Sequence, residues 1–371
     1  MQIVGVDVYG YDVHYAHGTY VMSGGRASAS LPSTVVRVRT DDGRVGFGEA
    51  CPLGSTYLES ASTTLRAALP ELARALLGCD PRELSEVNRR MDAAMRGQRA
   101  AKSPLDVACW DLLGQVTGLS LTTLLGGRRS RDFLLYVPVP LGEAAAMAEH
   151  VREHVAHGVR RFQLKLGGDP RVDVTRTAAV VAATDDDVTI IADANGGWRR
   201  QDAVVGARLL ERLDRVLLEQ PCATLEECLA VRHATTLPMI LDEVIVDVET
   251  LALAASRHAM EAINLKIGRL GGLTRARQAR DLVEQLGLRA TIEDTWGGDV
   301  VTAAVSHLAA STAPEALLNV GFSNEWVLDH VAGHQPRSSA GTGNAPGGPG
   351  LGIEVDVDRL GPPLATVETP G

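Results

Sequence analysis

The spacing of hydrophobic residues along the chain changes near residue 130. Before that point, the stretches IVGVDVYGYDVHY and STVVRVRTDDGRVGFGEA alternate apolar and polar residues as strands do, and the second contains the turn sequence Asp-Asp-Gly. Helical periodicity follows over about residues 58–78, 80–96 and 100–117. We therefore expect residues 1–128 to form an α+β domain, with a mobile Gly- and Ser-rich loop near residues 16–32.

From residue 129 onward, short apolar runs rich in β-branched residues alternate with amphipathic stretches of helical length. The eight runs are LLYVPVP, RFQLKLGG, VTIIADANGG, RVLLEQPC, PMILDEVI, AINLKIGRLGG, RATIEDTWGG and LLNVGFSN. Eight strand–helix units in one domain predict a closed parallel barrel rather than an open sheet. No long helical pattern follows the eighth run. We expect a barrel over residues 129–336 and a C-terminal segment, 337–371, that packs back on the first domain.

Charged residues end six of these predicted strands. The gaps between them are 28, 26, 23, 24 and 28 residues, each about one strand–helix unit, and the residues are Lys165, Asp193, Glu219, Asp242, Lys266 and Asp294. The carboxyl ends of barrel strands meet at one mouth, which is where barrel enzymes have their active sites. The sequence therefore predicts that these side chains converge.

Three of the six are carboxylates on consecutive strands, namely Asp193, Glu219 and Asp242. Three carboxylates side by side repel one another, and a divalent cation with oxygen ligands, most simply Mg²⁺, removes that repulsion. The alternative is that each carboxylate pairs with a Lys or Arg or faces water. For the three together, we favour a metal site.

Lys165 and Lys266 lie on either side of the three carboxylate strands and are expected to face each other across the barrel. An ammonium in a low-dielectric pocket beside a metal has a lowered pKa, which makes a neutral amine available as a base. Two such bases could address opposite faces of a carbon next to a metal-bound carboxylate, and the metal would stabilise the resulting enediolate. The alternatives are that both lysines only neutralise the carboxylates, or that one forms a Schiff base.

Composition and charge exclude other classes of partner. The 371 residues include 36 Lys and Arg against 46 Asp and Glu, giving a net charge of −10, and no basic run offsets it. We expect neither nucleic-acid nor membrane-surface binding. The chain start lacks the pattern of a secretion signal, and no stretch of about 20 apolar residues is present. With five scattered cysteines, the expectation is a cytoplasmic protein with reduced thiols.

Together these segments resemble the enolase superfamily, specifically its mandelate racemase/muconate lactonizing enzyme family. SPLDVACWDLLG (103–114) is similar to the last cap helix, and IADANGGW, LLEQP, LDEV and INLKIGRLGGLT follow the family's barrel strands in order. The resemblance implies an α/β fold, a modified (β/α)₇β TIM barrel with an N-terminal α+β capping domain that the C-terminal tail completes. It also implies a Mg²⁺-dependent lyase or isomerase. Its metal ligands correspond to Asp193, Glu219 and Asp242, and its acid/base lysines to Lys165 and Lys266.

One strand departs from the family pattern. The muconate-lactonizing subgroup has Lys-x-Lys on the second strand, whereas this chain has Gln163-Leu164-Lys165. The first lysine of that motif helps to bind the substrate carboxylate and lowers the pKa of its neighbour. Because Gln163 removes one positive charge from the pocket, a substrate that is cationic near the reacting carbon is favoured.

Loop residues point to the same kind of substrate. Tyr57 lies in the loop CPLGSTYLES (51–60), where this family's cap carries a specificity loop, and Asp294 and Trp296 lie together in EDTWGGD. An acid beside a Trp suits a substituted ammonium through charge attraction and a cation–π contact. Phe322 could add a second ring, and Asn195 could contact a ligand or water at the metal. The alternative is that Tyr57 and Trp296 are ordinary packing residues.

With its loops included, the chain resembles the cluster of cis-3-hydroxyproline dehydratases and hydroxyproline- or proline-betaine epimerases. This resemblance implies removal of the α-proton of a cyclic amino acid carboxylate. Two alternatives keep the same metal and lysines, namely a dipeptide epimerase and a muconate-type cycloisomerase. A catalytically silent binding scaffold is the alternative from a different class. The family resemblance also implies a homo-oligomer, which could help to order the loop near residues 16–32.

Overall fold

The structure, a computed structural model, describes residues 1–58 and 60–369. Expectations for Glu59 in the loop 51–60 and for residues 370–371 of the C-terminal segment lie outside the described residues. The strands are β1 (Ile3–His14), β2 (Tyr20–Met22), β3 (Arg26–Ser28), β4 (Ser30–Thr40), β5 (Val45–Ala50), β6 (Phe133–Leu134), β7 (Val137–Val139), β8 (Arg161–Lys165), β9 (Thr189–Asp193), β10 (Val216–Glu219), β11 (Met239–Leu241), β12 (Ala262–Lys266), β13 (Arg289–Glu293), β14 (Leu317–Val320), β15 (Thr342–Gly343) and β16 (Ala365–Glu368). The helices are α1 (Ser62–Leu76), α2 (Leu84–Ala94), α3 (Arg99–Thr117), α4 (Leu121–Leu124), α5 (Ala144–Ala156), α6 (Pro170–Ala182), α7 (Arg200–Leu210), α8 (Leu225–Arg232), α9 (Val248–Ser256), α10 (Ile267–Leu270), α11 (Leu273–Gln285) and α12 (Asp299–Ala310).

The cap is an antiparallel sheet covered by helices. Its strand order is β16-β1-β4-β5, and β16 pairs with β1 through Val6 and Val367. Alternate residues of β1 and β4, such as Val6, Val8 and Val36, are buried in one core with Leu72 and other apolar residues of α1 to α3. This burial follows from the two-residue period of the strands. The C-terminal strand therefore completes the capping domain, as the fold class predicts.

Helix α3 packs closely on the cap sheet and joins the cap to the barrel. A Cβ atom at Gly48 would lie 1.9 Å from the carbonyl oxygen of Pro104, so only glycine permits this approach. On its other side, α3 meets α11, where Asp106 accepts hydrogen bonds from the backbone N–H and the hydroxyl of Thr274. The helix ends at Gly118, whose φ of 68° is the left-handed conformation that glycine adopts readily.

The barrel contains eight parallel strands in the order β7 to β14. It closes where the backbone N–H of Tyr136 donates to the carbonyl of Val320 at 3.1 Å. Helices connect the first seven strands to the next, whereas after β14 the chain up to residue 369 forms short 3₁₀ turns and the strands β15 and β16 but no α-helix. The predicted (β/α)₇β barrel is confirmed. Strand ends from β8 to β13 therefore meet at one mouth beneath the cap.

The segment expected to be a loop near residues 16–32 contains a short hairpin instead. Strands β2 and β3 pair from Tyr20↔Ser28 to Met22↔Arg26, and Gly24 turns the chain with a φ of 70°. Local composition predicts the turn, but three residue pairs are too few to give a recognisable alternation. The hairpin is joined to the barrel because the N–H of Leu141 donates to the carbonyl of Val21.

Two further observations concern composition. All five cysteines are free and buried. Within the described residues, no helix combines the length and the apolar character that crossing a membrane requires.

His307 in α12 links the barrel to the C-terminal segment as a neutral imidazole. Its Nδ1 accepts from the backbone N–H of Thr122 at 3.2 Å, so that nitrogen carries no proton, and its Nε2 lies 2.9 Å from the carbonyl oxygen of Leu351. Burial lowers the pKa of His307 to about 4. Protonation would remove the acceptor that Thr122 uses.

We expect this histidine to make the protein less stable in mild acid. Below pH ~6.5 the unfolded chain binds a proton that folded His307 does not, so stability falls as the pH drops from ~6.5 to ~4, by about 3 kcal/mol in total. Urea unfolding of the wild type and of His307→Asn at pH 7 and pH 5 measures this effect. At pH 7 the free energy of unfolding of the variant should be lower than that of the wild type. Between pH 7 and pH 5, however, it should fall by about 2 kcal/mol less than that of the wild type. An equal decline in both proteins would contradict the assignment.

Candidate active site

The mouth of the barrel brings together the predicted strand-end residues. Lys165, Asp193, Glu219 and Lys266 are the last residues of their strands, and Asp242 directly follows β11. Lys165 pairs with Asp193, and Asp193 pairs with Glu219, on adjacent strands. Three strands separate β8 from β12 in either direction around the closed barrel. The two lysines therefore lie on opposite sides of the mouth, and all five side chains are buried.

Each lysine is held in an ion pair with a predicted metal ligand. Lys165 Nζ donates to Asp193 Oδ2, and Lys266 Nζ lies 2.8 Å from Asp242 Oδ2. Burial alone would lower the pKa of each lysine, but Asp193 and Asp242 outweigh it and raise both pKa values. The reason is that buried ammonium groups in contact with carboxylates are stabilised in their charged form. The lowered pKa expected from the sequence concerns lysines beside a bound metal and stays a prediction.

Glu219 lies between the two ion pairs with amide partners only. Gln163 Nε2 donates to both of its carboxylate oxygens at 2.9 and 3.0 Å, and Asn264 Nδ2 donates at 2.6 Å. Among the described residues, no Lys, Arg or His nitrogen forms an ion pair with it. Burial, followed by the charges of Asp193 and Asp242, raises the pKa of Glu219 well above its usual value. The centre of the mouth is thus unfavourable for a carboxylate without a further cation.

With all of its acids and bases ionised, the mouth would carry an excess of two negative charges. The acids are Asp193, Glu219, Asp242, Glu243 and Glu293, and the cations are Lys165, Lys266 and Arg269. A divalent cation would balance this excess, and oxygen ligands suit Mg²⁺. Within residues 1–58 and 60–369, no three His, Cys, Asp or Glu side chains are arranged to hold a metal, and ammonium groups contact Asp193 and Asp242. The donor set fits the ion once those ion pairs separate.

At the end of the seventh strand, Glu293 lies beside Lys266, whereas Asp294 lines the cavity beside Tyr57. Strand register pairs Glu293 with Lys266, and its carboxylate lies 3.5 Å from the lysine Nζ. The carboxylate of Asp294 accepts from the backbone N–H groups of Gly268 and Thr295 instead. A difference of one position in the chain therefore decides which of the two acids lies beside Lys266.

Tyr57 and Asn195 both contact the proposed metal ligands. The Tyr57 hydroxyl lies 2.8 Å from Glu243 Oε1 and 3.1 Å from Asp242 Oδ2, and it accepts from Lys266 Nζ at 3.3 Å. The loop 51–58 therefore reaches into the mouth. Asn195 donates to Asp193 from its backbone and from its side-chain amide, both at 2.8 Å, so it fixes the orientation of that carboxylate.

The two aromatic residues predicted to line the pocket, Trp296 and Phe322, do not lie together. Trp296 is buried beside Tyr20, with ring centroids 4.9 Å apart, and its Nε1 has no hydrogen-bond partner in the described part of the chain. Burial raises the pKa of Tyr20 to about 12, and the charges of Lys165, Asp193, Lys266 and Glu293 also act on its hydroxyl. Phe322 is not brought to these rings, because it packs on Phe133 at 5.8 Å and against Gly343.

Sequence reasoning missed four residues of this site. Glu293 ends the predicted strand RATIE, where strand alternation could have identified it. Arg269 lies within the segment INLKIGRLGGLT. Tyr20 and Tyr136 come from other segments, and nothing in the sequence around them indicates a place in the site.

The rarity of lysine is a sequence feature that could have identified the two catalytic candidates. The chain has three lysines among 36 basic residues, and two of the three are in the mouth. Arginine cannot deprotonate in proteins, whereas lysine can, so a chain that otherwise uses arginine marks its lysines as chemical groups.

Two cavities adjoin the mouth. One of about 280 Å³ lies beside Tyr57, between the loop 51–58, the start of α3, Glu243 after β11 and Arg269 in α10. The other, of about 230 Å³, lies between the β2–β3 hairpin and residues 53–56. The cap segments near residues 20–31 and 50–58 thus line these two cavities.

A capped (β/α)₇β barrel with opposed lysines around three strand-end carboxylates defines an enolase-superfamily enzyme. The chain belongs to the mandelate racemase/muconate lactonizing enzyme family. The N-terminal domain of that family matches residues 13–126, and the enolase C-terminal domain-like family matches residues 146–359.

Individual relatives agree with this assignment. The chain is 44% identical over 367 residues to a cis-3-hydroxy-L-proline dehydratase from Roseibium aggregatum, which covers 98% of this chain and 99% of the relative. A mandelate racemase/muconate lactonizing enzyme from Roseovarius nubinhibens superposes with a TM-score of 0.96 at 36% identity, covering 100% and 99% of the two chains. Another structure from that organism, complexed with magnesium, gives a TM-score of 0.95 at 33% identity and covers 99% and 100%. At 26–29% identity, relatives include an N-succinyl-Arg/Lys racemase, a dipeptide epimerase and a chloromuconate cycloisomerase.

Proposed function

We propose that this protein is a Mg²⁺-dependent enzyme that removes the α-proton of a cyclic amino acid carboxylate, and that it dehydrates cis-3-hydroxy-L-proline. The observation that carries the proposal is the buried set of three carboxylates between two opposed lysines, in a mouth that holds five acids and three bases. The 44% identity to a dehydratase of that substrate supports the choice of reaction.

Asp193, Glu219 and Asp242 would hold the metal. When bound, Mg²⁺ supplies positive charge that stabilises the enediolate formed on proton removal. Gln163 and Asn264 hold Glu219, and Asn195 holds Asp193. These amides orient the carboxylates without adding charge, which leaves their negative charge available to a cation.

The opposed lysines suit this elimination. In cis-3-hydroxy-L-proline, the hydroxyl and the carboxylate lie on one face of the ring, so the α-proton lies on the other face. One lysine removes the α-proton as a base, and the opposite lysine protonates the departing hydroxyl. The Cα–H and Cβ–O bonds break, a C=C bond forms, and water leaves. The same two groups would support epimerisation, with the second lysine returning a proton to the opposite face of Cα.

The pocket also suits the ring nitrogen of an amino acid. Gln163 adds no positive charge, and the partly buried Glu243 faces the mouth beside Tyr57. Tyr20 presents an aromatic ring, backed by Trp296. Carboxylates and rings of this kind attract an ammonium more strongly than they attract a second carboxylate, which disfavours a muconate-like diacid.

Proton NMR in D₂O with Mg²⁺ tests the proposal directly. The panel contains cis- and trans-3-hydroxy-L-proline, L-proline, proline betaine, hydroxyproline betaine, two dipeptides and muconate. We expect loss of cis-3-hydroxy-L-proline and formation of a cyclic enamine that tautomerises to an imine. Inversion of a betaine would indicate the epimerase, and turnover of dipeptides alone would keep the mechanism but reject the substrate. Failure to exchange any α-proton would favour the silent scaffold.

Restoring the subgroup's Lys-x-Lys pattern should weaken metal binding. In Gln163→Lys, the new ammonium would replace an amide that contacts both oxygens of Glu219, and it would compete with Mg²⁺ for that carboxylate. We expect the Kd for Mg²⁺, measured by calorimetry, to rise about tenfold or more, since a charge-assisted hydrogen bond is worth about 1.5–3 kcal/mol. Gln163→Glu is the control of opposite charge. A tighter Mg²⁺ complex in Gln163→Lys would contradict the role given to Gln163.

A further inference from the structure

We propose that Glu293, held in place by Tyr136, is a positioning residue that receives the ammonium of Lys266 when Asp242 turns to the metal. This inference rests on the proposed function, because it requires Asp242 to serve as a Mg²⁺ ligand. It assigns a role to two residues outside the set of metal ligands and proton-transfer lysines.

Glu293 offers Lys266 a second carboxylate beside Asp242, its present partner. Lys266 Nζ is 2.8 Å from Asp242 Oδ2 and 3.5 Å from Glu293 Oε1. Glu293 is only 3% exposed, and its Oε1 has no hydrogen-bond partner within the described residues. A buried carboxylate oxygen without a partner is costly. A small displacement of the ammonium would satisfy it.

Tyr136 fixes the orientation of that carboxylate. Its buried hydroxyl donates to the other oxygen of Glu293, Oε2, and its ring packs on Trp326 with centroids 5.4 Å apart. Gly321 makes room for both side chains. A Cβ atom there would lie 3.0 Å from Cβ of Glu293 and 3.1 Å from the Tyr136 ring. Oε1 of Glu293 is therefore left facing Lys266.

A metal at Asp242 would make this second contact necessary. Asp242 Oδ1 already accepts from Arg269 Nη2 at 2.6 Å, and Oδ2 accepts from Lys266. If the metal takes Oδ2, the lysine must leave it while remaining close enough to reach a substrate. The other lysine differs, since Lys165 forms one ion pair in the described structure, with Asp193. Glu293 thus distinguishes the two sides of the mouth.

Calorimetric titration of Mg²⁺ into the intact protein tests the inference without turnover. Without Glu293, Lys266 has no second carboxylate and should compete with Mg²⁺ for Asp242. We expect Glu293→Gln to raise the Kd about tenfold. Asp294→Asn removes the same charge one residue away but does not contact Lys266, and it should raise the Kd by about twofold or less. Equal increases in the two variants would overturn the inference, because Glu293 would then act through its charge alone.

Lysine NMR provides a second readout that follows Lys266 itself. Because the chain has three lysines, protein labelled with ¹³Cε-lysine gives three side-chain signals, and Lys266→Arg assigns the one of interest. On addition of Mg²⁺, the Lys266 signal of the wild type should move to one new position. In the charge-neutral variant Tyr136→Phe, the signal with Mg²⁺ should broaden or lie elsewhere, because Glu293 is no longer fixed. An identical Mg²⁺-bound signal in both would remove Tyr136 from the proposal.

Different results would contradict the proposed function and the role of Glu293. If the wild type binds no Mg²⁺ and exchanges no α-proton, the proposed function is wrong. If the wild type does both, but Glu293→Gln matches Asp294→Asn in affinity, only the role of Glu293 is wrong. As an activity check, Glu293→Gln should slow α-proton exchange of one proline enantiomer more than that of the other, since each enantiomer presents its proton to a different lysine.

Discussion

Replacing Lys266 by alanine is expected to lower the dehydration of cis-3-hydroxy-L-proline by about 10³-fold, within the range that a positioned acid or base contributes. The reason is that Lys165 alone can address only one face of the ring, whereas the α-proton and the hydroxyl lie on opposite faces. Steady-state turnover of the purified variant measures the loss. Exchange of the α-proton that faces Lys165 should survive in D₂O.

The same variant should keep its fold and its metal. Arg269 still neutralises Asp242 at 2.6 Å, and Glu293, which loses its ion pair with Lys266, keeps the hydrogen bond from Tyr136. Because Lys266 competes with the metal for Asp242, Lys266→Ala should bind Mg²⁺ at least as tightly as the wild type. Lys165→Ala is the matched control, and it should lose exchange of the α-proton that faces Lys165. If Lys266→Ala retained turnover within tenfold of the wild type, the two-lysine mechanism would be rejected.

Replacing Glu219 by glutamine should separate stability from metal binding. Glu219 is fully buried, it repels Asp193 and Asp242, and its described partners are the amides of Gln163 and Asn264. The substitution keeps the shape of the side chain but removes this repulsion. We expect the metal-free variant to be more stable than the metal-free wild type. Its melting temperature should rise by about 2 °C for each kcal/mol by which the free energy of unfolding increases.

Metal binding should change in the opposite direction. Loss of the central ligand should weaken Mg²⁺ by more than the roughly 10–100-fold that supporting residues of a metal site contribute, and activity should fall with it. Calorimetry and thermal unfolding, each with and without Mg²⁺, measure both effects. Glu243→Gln, on the neighbouring strand end, is the comparison variant and should retain measurable Mg²⁺ binding. A Glu219→Gln protein that is less stable and still binds Mg²⁺ would remove Glu219 from the proposed site.

Most of the architecture could be predicted because it depends on local periodicity. The change from two-residue alternation to strand–helix units separates the cap from the barrel, and barrel topology converts a gap of 23–28 residues into neighbouring positions at the mouth. That is why Lys165, Asp193, Glu219, Asp242 and Lys266 converge in the structure. The absent eighth helix was also visible as an absent helical pattern.

Side-chain partners could not be predicted in this way. Pairing of Lys266 with Asp242, contact of Tyr57 with Glu243, and the bond from Tyr136 to Glu293 join segments 24, 186 and 157 residues apart. The position of one residue in a strand decided that Glu293 and not Asp294 faces the lysine. Packing against Phe133 and Gly343 decided the place of Phe322.

The sequence by itself therefore determined which chemical groups reach the mouth of the barrel, since strand period and strand order are properties of the chain. Only the tertiary structure decided how their charges are paired, and this pairing raises the pKa of both lysines. The physical reason is that interactions between buried charges depend on separations of 3–4 Å and on exclusion of water. Both quantities are set by side-chain packing among distant segments.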